Sequence, residues 1–340
     1  MDNLNLFNHA PKELVTDAFL TWLFYFLDSN QQYEKKKIEF FKDLFLKTND
    51  FEKKLSNIKI NRQEKTISGG RIDLILLFTL NGHQQKILFE NKTWTSTSKK
   101  QLLSYKLDKP NLYKYIYLKL GYVNYFEKKL TSEIGYEIID AFKLSNAISK
   151  IQTLHPIITQ YYNFLNDRFT NYISSFKTKL FQNNDYSILN DGQAQQFLIS
   201  ELYKKLDNLL DHLEFKTGSS SGRPWTQLYI AKKNKIYGNI DEFIFWRIDI
   251  RENKYYIRLN QYAYINNEFK DLKKNRLNIL REIALKLNSK YRLKSGNLTN
   301  KGLKESEIII FFLKDNDIAH LMNSLPQFSL EFVKKYINRL

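Results

Sequence analysis

The sequence predicts an α/β protein: a central mixed β-sheet flanked by helices, followed by a helical linker and an α+β C-terminal domain. Three observations lead there. At 340 residues the chain exceeds what one compact core usually holds, so two domains are expected. Helix-period and strand-period apolar patterns alternate through its first half. The composition, 43% hydrophobic and 15% aromatic against 26% charged, supplies a packed core and excludes a disordered chain.

Taken in order, residues Asn8 to Pro11 read as a helix start. KELVTDAFLTWLFYFLD then spaces Leu14, Ala18, Trp22 and Phe26 at helical intervals, with Glu13 and Asp17 four apart near its beginning. A more polar helix is expected over EKKKIEFFKDLFLK and a strand around IKINRQEKTI. RIDLILLFTL and HQQKILFEN are β-like runs joined by Asn81-Gly82. That dipeptide is the strongest short hairpin signal, because both residues tolerate the positive φ of a type I′ turn. Ile72, Leu74, Ile75, Leu76 and Leu77 make the first of these strands apolar on both faces, which marks it as central.

SKKQLLSYKLDK then predicts a short helix, LYKYIYLKL and YEIIDAF two strands, and residues 145–181 a lengthy helical stretch. The polar break QNNDYSILNDG separates a first domain, 1–185, from a second, 190–340. In the second, AQQFLISELYKKLDNLLDHL predicts a helix and TGSSSGRPW a flexible loop. TQLYIAK, EFIFWRIDI and KYYIRLNQ predict strands, KDLKKNRLNILREIALKL a basic helix, EIIIFFLK a strand, and the C-terminus a closing helix. Trp246, with Phe243, Phe245 and Ile248, reads as core.

The hairpin register carries the functional reading. With Leu80 facing His83 across the turn, Asp73 faces Glu90 in a non-hydrogen-bonded pair, where Cα atoms lie roughly 4.5 Å apart and side chains leave on one face. Lys92 shares that face, while Asn91 points away and leaves its backbone carbonyl at the same edge. Facing like charges destabilise a sheet, so the pair calls for a cation, a shared proton or a guanidinium such as Arg71. Mg²⁺, or Mn²⁺ in its place, suits two carboxylates and a carbonyl, Asp73, Glu90 and Asn91, and keeps waters that attack phosphorus. Lys92 would help deprotonate one of them. The plain alternative is a solvated ion cluster at a strand end.

Lysine and arginine outnumber aspartate and glutamate 53 to 36, a net charge of +17 distributed along the chain. A polyanion is the natural partner, although a lysine-rich, asparagine-rich composition also raises that count by itself. The absence of cysteine removes disulfides, thiolate zinc sites and cysteine nucleophiles. The five histidines show no metal-ligand spacing, and no phosphate-binding GxxxxGK[ST] loop occurs. The N-terminus lacks signal-peptide character and no apolar run approaches the roughly 18 residues that span a bilayer, so a cytoplasmic protein without membrane contact is expected.

An aspartate one strand ahead of an E-x-K, here Asp73 and then Glu90-Asn91-Lys92, resembles the PD-(D/E)XK nuclease superfamily. Gln101 and Tyr105 form a Q-x-x-x-Y on the next helix. That motif is similar to the branch found in helicase-linked nucleases and in many prokaryotic defence or restriction nucleases. Glu13, before Trp22-Leu23 on the first helix, matches an acid that family often places there. The likeness covers residues 10 to 120 and extends to about 150. Gly70-Arg71 stands where a proline often precedes the aspartate.

The resemblance implies a restriction-endonuclease-like core and a Mg²⁺-dependent deoxyribonuclease. Asp73 and Glu90 would be metal ligands, Lys92 would act on the water, and Glu13 would support the metal. Gln101 with Tyr105 would orient the lysine region or meet the phosphate backbone. By themselves Gln101 and Tyr105 are an ordinary i, i+4 pair and Glu13 an acid facing a helix dipole. Ser98, Lys99 and Lys100, after the E-x-K, and Arg223 in the later loop are expected nucleic-acid contacts, DNA before RNA. The helix with Lys270, Lys273, Lys274 and Arg276 reads as a positive face. A homodimer or a partner protein is a further expected association, and the rival function is a nucleic-acid-binding protein that kept the fold without catalysis.

Overall fold

The computed structural model describes residues 5–9, 12–46, 54–67, 69–252, 254–298 and 304–339. It is a mixed α/β protein that divides into two compact units, 1–174 and 175–340. The polar break QNNDYSILNDG lies within the second unit. The part of the expected helix start at Ala10 and Pro11 lies outside the described residues.

The first unit opens with helices α1 (Lys12–Ser29) and α2 (Glu34–Leu44). Three antiparallel strands follow, β1 (Leu55–Lys65), β2 (Arg71–Leu80) and β3 (His83–Lys92). Helix α3 (Lys99–Asp108) crosses to β4 (Lys114–Lys119), and α4 (Tyr125–Ile134) crosses to β5 (Glu137–Asp140), both strands adding in parallel. The sheet is therefore mixed, in the order β1-β2-β3-β4-β5. Helices α5 (Ala141–Ser149) and α6 (Pro156–Leu165) and a π-helical turn, Asn166–Thr170, follow. Helix α7 (Asn171–Phe181) spans the division between the units.

Alternation along β2 and β3 explains the two cores. Leu74, Leu76, Phe78, Ile87 and Phe89 face a cluster with Phe24 and Phe41 of α1 and α2 and Leu144 and Ile158 of α5 and α6. Ile75 and Leu88 face the other way, against Leu102 and Tyr105 of α3 and Leu130 and Ile134 of α4. A strand buried on both faces reads as a continuous apolar run. The turn has φ of 49° at Asn81 and 82° at Gly82, and the register runs from Leu80↔His83 to Leu74↔Phe89, as the dipeptide predicts.

Two elements of the first unit differ from expectation. Sequence reading passed over α4, although Asn124 and Glu127 form a capping box at its start and Gly135 closes it in the left-handed region. Parallel β4 and β5 require such a crossover. YEIIDAF is strand only to Asp140, whose side chain then caps α5.

The second unit contains α8 (Gly192–Leu206), a meander β6 (Glu214–Ser220), β7 (Arg223–Tyr237), β8 (Ile240–Arg251) and β9 (Lys254–Tyr262), then α9 (Lys270–Tyr291), β10 (Glu305–Phe312) and α10 (Ile318–Arg339). All five strands are antiparallel, in the order β10-β9-β8-β7-β6. Trp246 and Phe245 are buried as expected, with the Trp246 indole donating to Ser329 of α10 at 2.8 Å.

TGSSSGRPW is not a flexible loop. Its residues pair as the β6–β7 hairpin around Ser221-Gly222, and the Trp225 ring lies over Gly218, where a Cβ would collide with it. Nor is α9 a simple positive face. Lys273 and Arg276 are buried: the Lys273 ammonium donates to the carbonyls of Ala263 and Lys304 at 3.1 and 2.9 Å, and Arg276 pairs with buried Glu242 at 2.6 Å. Only Lys270 and Lys274 of the four remain exposed.

Candidate active site

The end of the β2–β3 hairpin away from its turn gathers most of the expected residues. The Asp73 and Glu90 carboxyls lie within hydrogen-bonding reach of each other. Glu90 is 1% exposed. Its Oε1 takes an ion pair from the Lys92 ammonium and a hydrogen bond from the Gln101 amide at 2.8 Å. The same amide nitrogen lies 3.0 Å from the Tyr105 hydroxyl, which donates to the Arg71 carbonyl at 2.7 Å. One helical turn separates Gln101 from Tyr105, so both reach the same strand ends from α3.

Asp73 is held from two sides. Its Oδ2 accepts the Asn91 backbone N–H at 2.8 Å, and its Oδ1 accepts from Gln63 of β1 at 3.3 Å. The Asn91 side chain leaves on the opposite face, as the period of two requires, and its amide donates at 3.0 Å to Asp17 of α1. Asp17 is buried at 6% exposure, and sequence reading did not assign it a role. Its position one helical turn after Glu13 was the available signal. The Gln63 contact had none, since it depends on β1 reaching Asp73. Glu13 falls in α1, but its side chain lies outside the described residues.

Burial, then the neighbouring Asp73 carboxylate, pushes the Glu90 carboxyl up from 4.5 to about 7, against the opposing pull of Lys92. Burial likewise raises Tyr105, with the charges of Glu90 and Asp73 adding to it. Two anions and one ammonium thus leave the site short of positive charge, which a proton or a cation can supply. Lys92, not the exposed Arg71, provides the existing counter-charge.

This donor set fits a hard divalent cation. Two carboxylates and the Asn91 carbonyl would hold it, and waters and a phosphate would complete the shell. Among the described residues there is no group of three or more His, Cys, Asp and Glu able to hold a metal ion.

Ser98 caps α3, accepting the Gln101 backbone N–H at 3.2 Å, and the Thr97 hydroxyl donates to the Gln101 side-chain amide oxygen Oε1 at 3.3 Å. Lys99 and Lys100 are exposed on the first turn of α3, directly before Gln101. Arg223 is exposed at the tip of the β6–β7 hairpin in the other unit. The protein's first unit therefore unites Asp73, Glu90, Lys92, Gln101 and Tyr105.

Comparison with family models, with curated proteins and with solved structures finds no match to this chain. No helix among the described residues is long and apolar enough to cross a membrane.

Proposed function

We propose that the protein is a Mg²⁺-dependent nuclease, with Mn²⁺ as a substitute ion, that hydrolyses phosphodiester bonds of DNA from a restriction-endonuclease-like first unit. One observation carries the reading: a carboxylate pair, buried Glu90 and half-buried Asp73, faces one lysine and one glutamine on adjoining elements. A structural ion pair needs only one carboxylate per ammonium. Here a second anion is retained beside the first, although it raises the cost of ionising Glu90.

When bound between these carboxylates, a divalent cation would polarise the phosphate and lower the pKa of an attacking water. The chain supplies the rest. Asp73 and Glu90 fix the ligand position, and Asn91 holds Asp73 through its backbone N–H. The Lys92 ammonium, paired with Glu90 at the strand end, would donate a hydrogen bond to the attacking water or to a phosphate oxygen and offset the negative charge that develops there. Gln101 keeps Glu90 turned toward Asp73, and Tyr105 fixes Gln101. Lys99 and Lys100 contact the DNA backbone.

The test compares wild type with Lys92→Ala on linear, circular and single-stranded DNA, with and without Mg²⁺. Cleavage by wild type alone, and only with metal, is expected. Equal products from both proteins would overturn the role of Lys92. Salt-dependent binding without cleavage in Mg²⁺ or Mn²⁺ would show instead a nucleic-acid-binding protein.

A further inference from the structure

We infer that Lys119 and Tyr117, joined through Glu127, are positioning residues for the contact between Glu90 and Gln101; the inference rests on the nuclease reading. Across the parallel β3–β4 ladder Tyr117 is the partner of Glu90 and Lys119 the partner of Lys92. Lys119 and Glu127 are fully buried. The Lys119 ammonium donates to Glu127 Oε1 at 3.0 Å and to the Thr95 carbonyl at 2.7 Å. The Tyr117 hydroxyl donates to the same Glu127 oxygen at 2.8 Å and is the partner of the Thr97 backbone N–H. Farther along, the N–H groups of Leu120 and Gly121 donate to the carbonyls of Lys92 and Thr93 at 3.1 and 2.7 Å.

Residues 117–121 therefore grip the backbone between Lys92 and Ser98 at Lys92, Thr93, Thr95 and Thr97. That segment is the only covalent path from the strand bearing Glu90 and Lys92 to the helix bearing Gln101 and Tyr105. Its last residues finish the job: Ser98 caps α3 and Thr97 fixes the Gln101 amide. An apolar pair at 119 and 127 could pack as well as a buried ion pair, which costs desolvation. It could not hold the Thr95 carbonyl. The ammonium satisfies carboxylate and carbonyl together, and so sets how far α3 stands from β3.

The experiment is a double-mutant cycle. Lys119→Met with Glu127→Gln removes both buried charges at once, keeps their volume, and keeps a residue that serves the α4 capping box. This pair should lower cleavage roughly tenfold, in kcat more than in KM, and should cost little more in a Gln101→Ala background. Multiplicative losses would overturn the inference, since Lys119 would then act on something other than Gln101.

Tyr117→Phe, a smaller change, keeps both buried charges, removes the acceptor of the Thr97 N–H together with the hydroxyl's hydrogen bond to Glu127, and covers the case in which the paired variant does not fold. A readout independent of activity is the Gln101 side-chain amide signal in ¹H–¹⁵N spectra, assigned by its loss in Gln101→Ala. It should move in the Tyr117 and Lys119 variants, and an unmoved signal in a folded variant also overturns the inference. If wild type cleaves nothing under any metal, the nuclease reading fails, and the amide signal still decides whether these residues position Gln101.

Discussion

Raising the pH of the metal-free protein from 4.5 to above 7 should weaken its first unit, the reverse of what a satisfied carboxylate ion pair produces. Glu90 has its carboxyl raised from 4.5 to about 7. Between those values the folded chain retains a proton that the unfolded chain has released, so each increase in pH favours unfolding. Below 4.5 both states are protonated and the penalty is absent; above 7 it is complete. At about 1.4 kcal/mol per tenfold change, the penalty reaches about 3 kcal/mol. For a unit of this size that corresponds to roughly 6–12 °C in Tm.

Glu90→Gln isolates the effect, because every other titrating group is common to both proteins. Thermal unfolding from pH 4.5 to 8 should show the variant gaining on wild type as pH rises. Mg²⁺ should stabilise wild type by roughly 2.7 kcal/mol at a hundred times its Kd at pH 8, and far less at pH 5, where the proton competes. Parallel curves for the two proteins, or wild type gaining stability through this range, would show that Lys92 alone satisfies Glu90 and would remove the reason to place a cation there.

Further outcomes follow from the same contacts. Asp73→Asn removes the facing anion, so Glu90 should titrate below about 7 in carboxyl ¹³C NMR; an unchanged value would mean that burial alone raises it. Gln101→Ala should lower Mg²⁺-supported cleavage roughly 10- to 100-fold with little change in Tm, as for other residues that orient a ligand. In the second unit, Arg276→Leu leaves Glu242 charged and buried, and should cost about 3–5 kcal/mol in denaturant unfolding. Combining it with Glu242→Gln should recover most of that loss.

The strand ends of the candidate site were legible because their information is local. Asn81-Gly82 sets a turn, the turn sets a register, and the period of two then places Asp73, Glu90 and Lys92 on one face and Asn91 on the other. Helical spacing puts Gln101 and Tyr105 in line, but by itself that is an ordinary i, i+4 pair, and it was the likeness to the Q-x-x-x-Y motif that singled them out. The same local signals misled at TGSSSGRPW. Glycine and serine mark turns, but here a strand accepts them because Trp225 covers Gly218 from the neighbouring strand.

Sequence patterns alone thus determined the mixed α/β character, the central hairpin and the facing acids. Only the tertiary structure decided which charges turn inward, since Lys273 and Arg276 look like any solvated helix lysine and arginine until a carbonyl or a buried carboxylate comes within 3 Å or so. It also brought Asp17 to Asn91 and Lys119 to Thr95. Those partners lie 74 and 24 residues apart, and no periodicity along the chain encodes which distant groups will meet. Packing selects them, because a buried polar group without a partner costs more than the fold can bear at many sites.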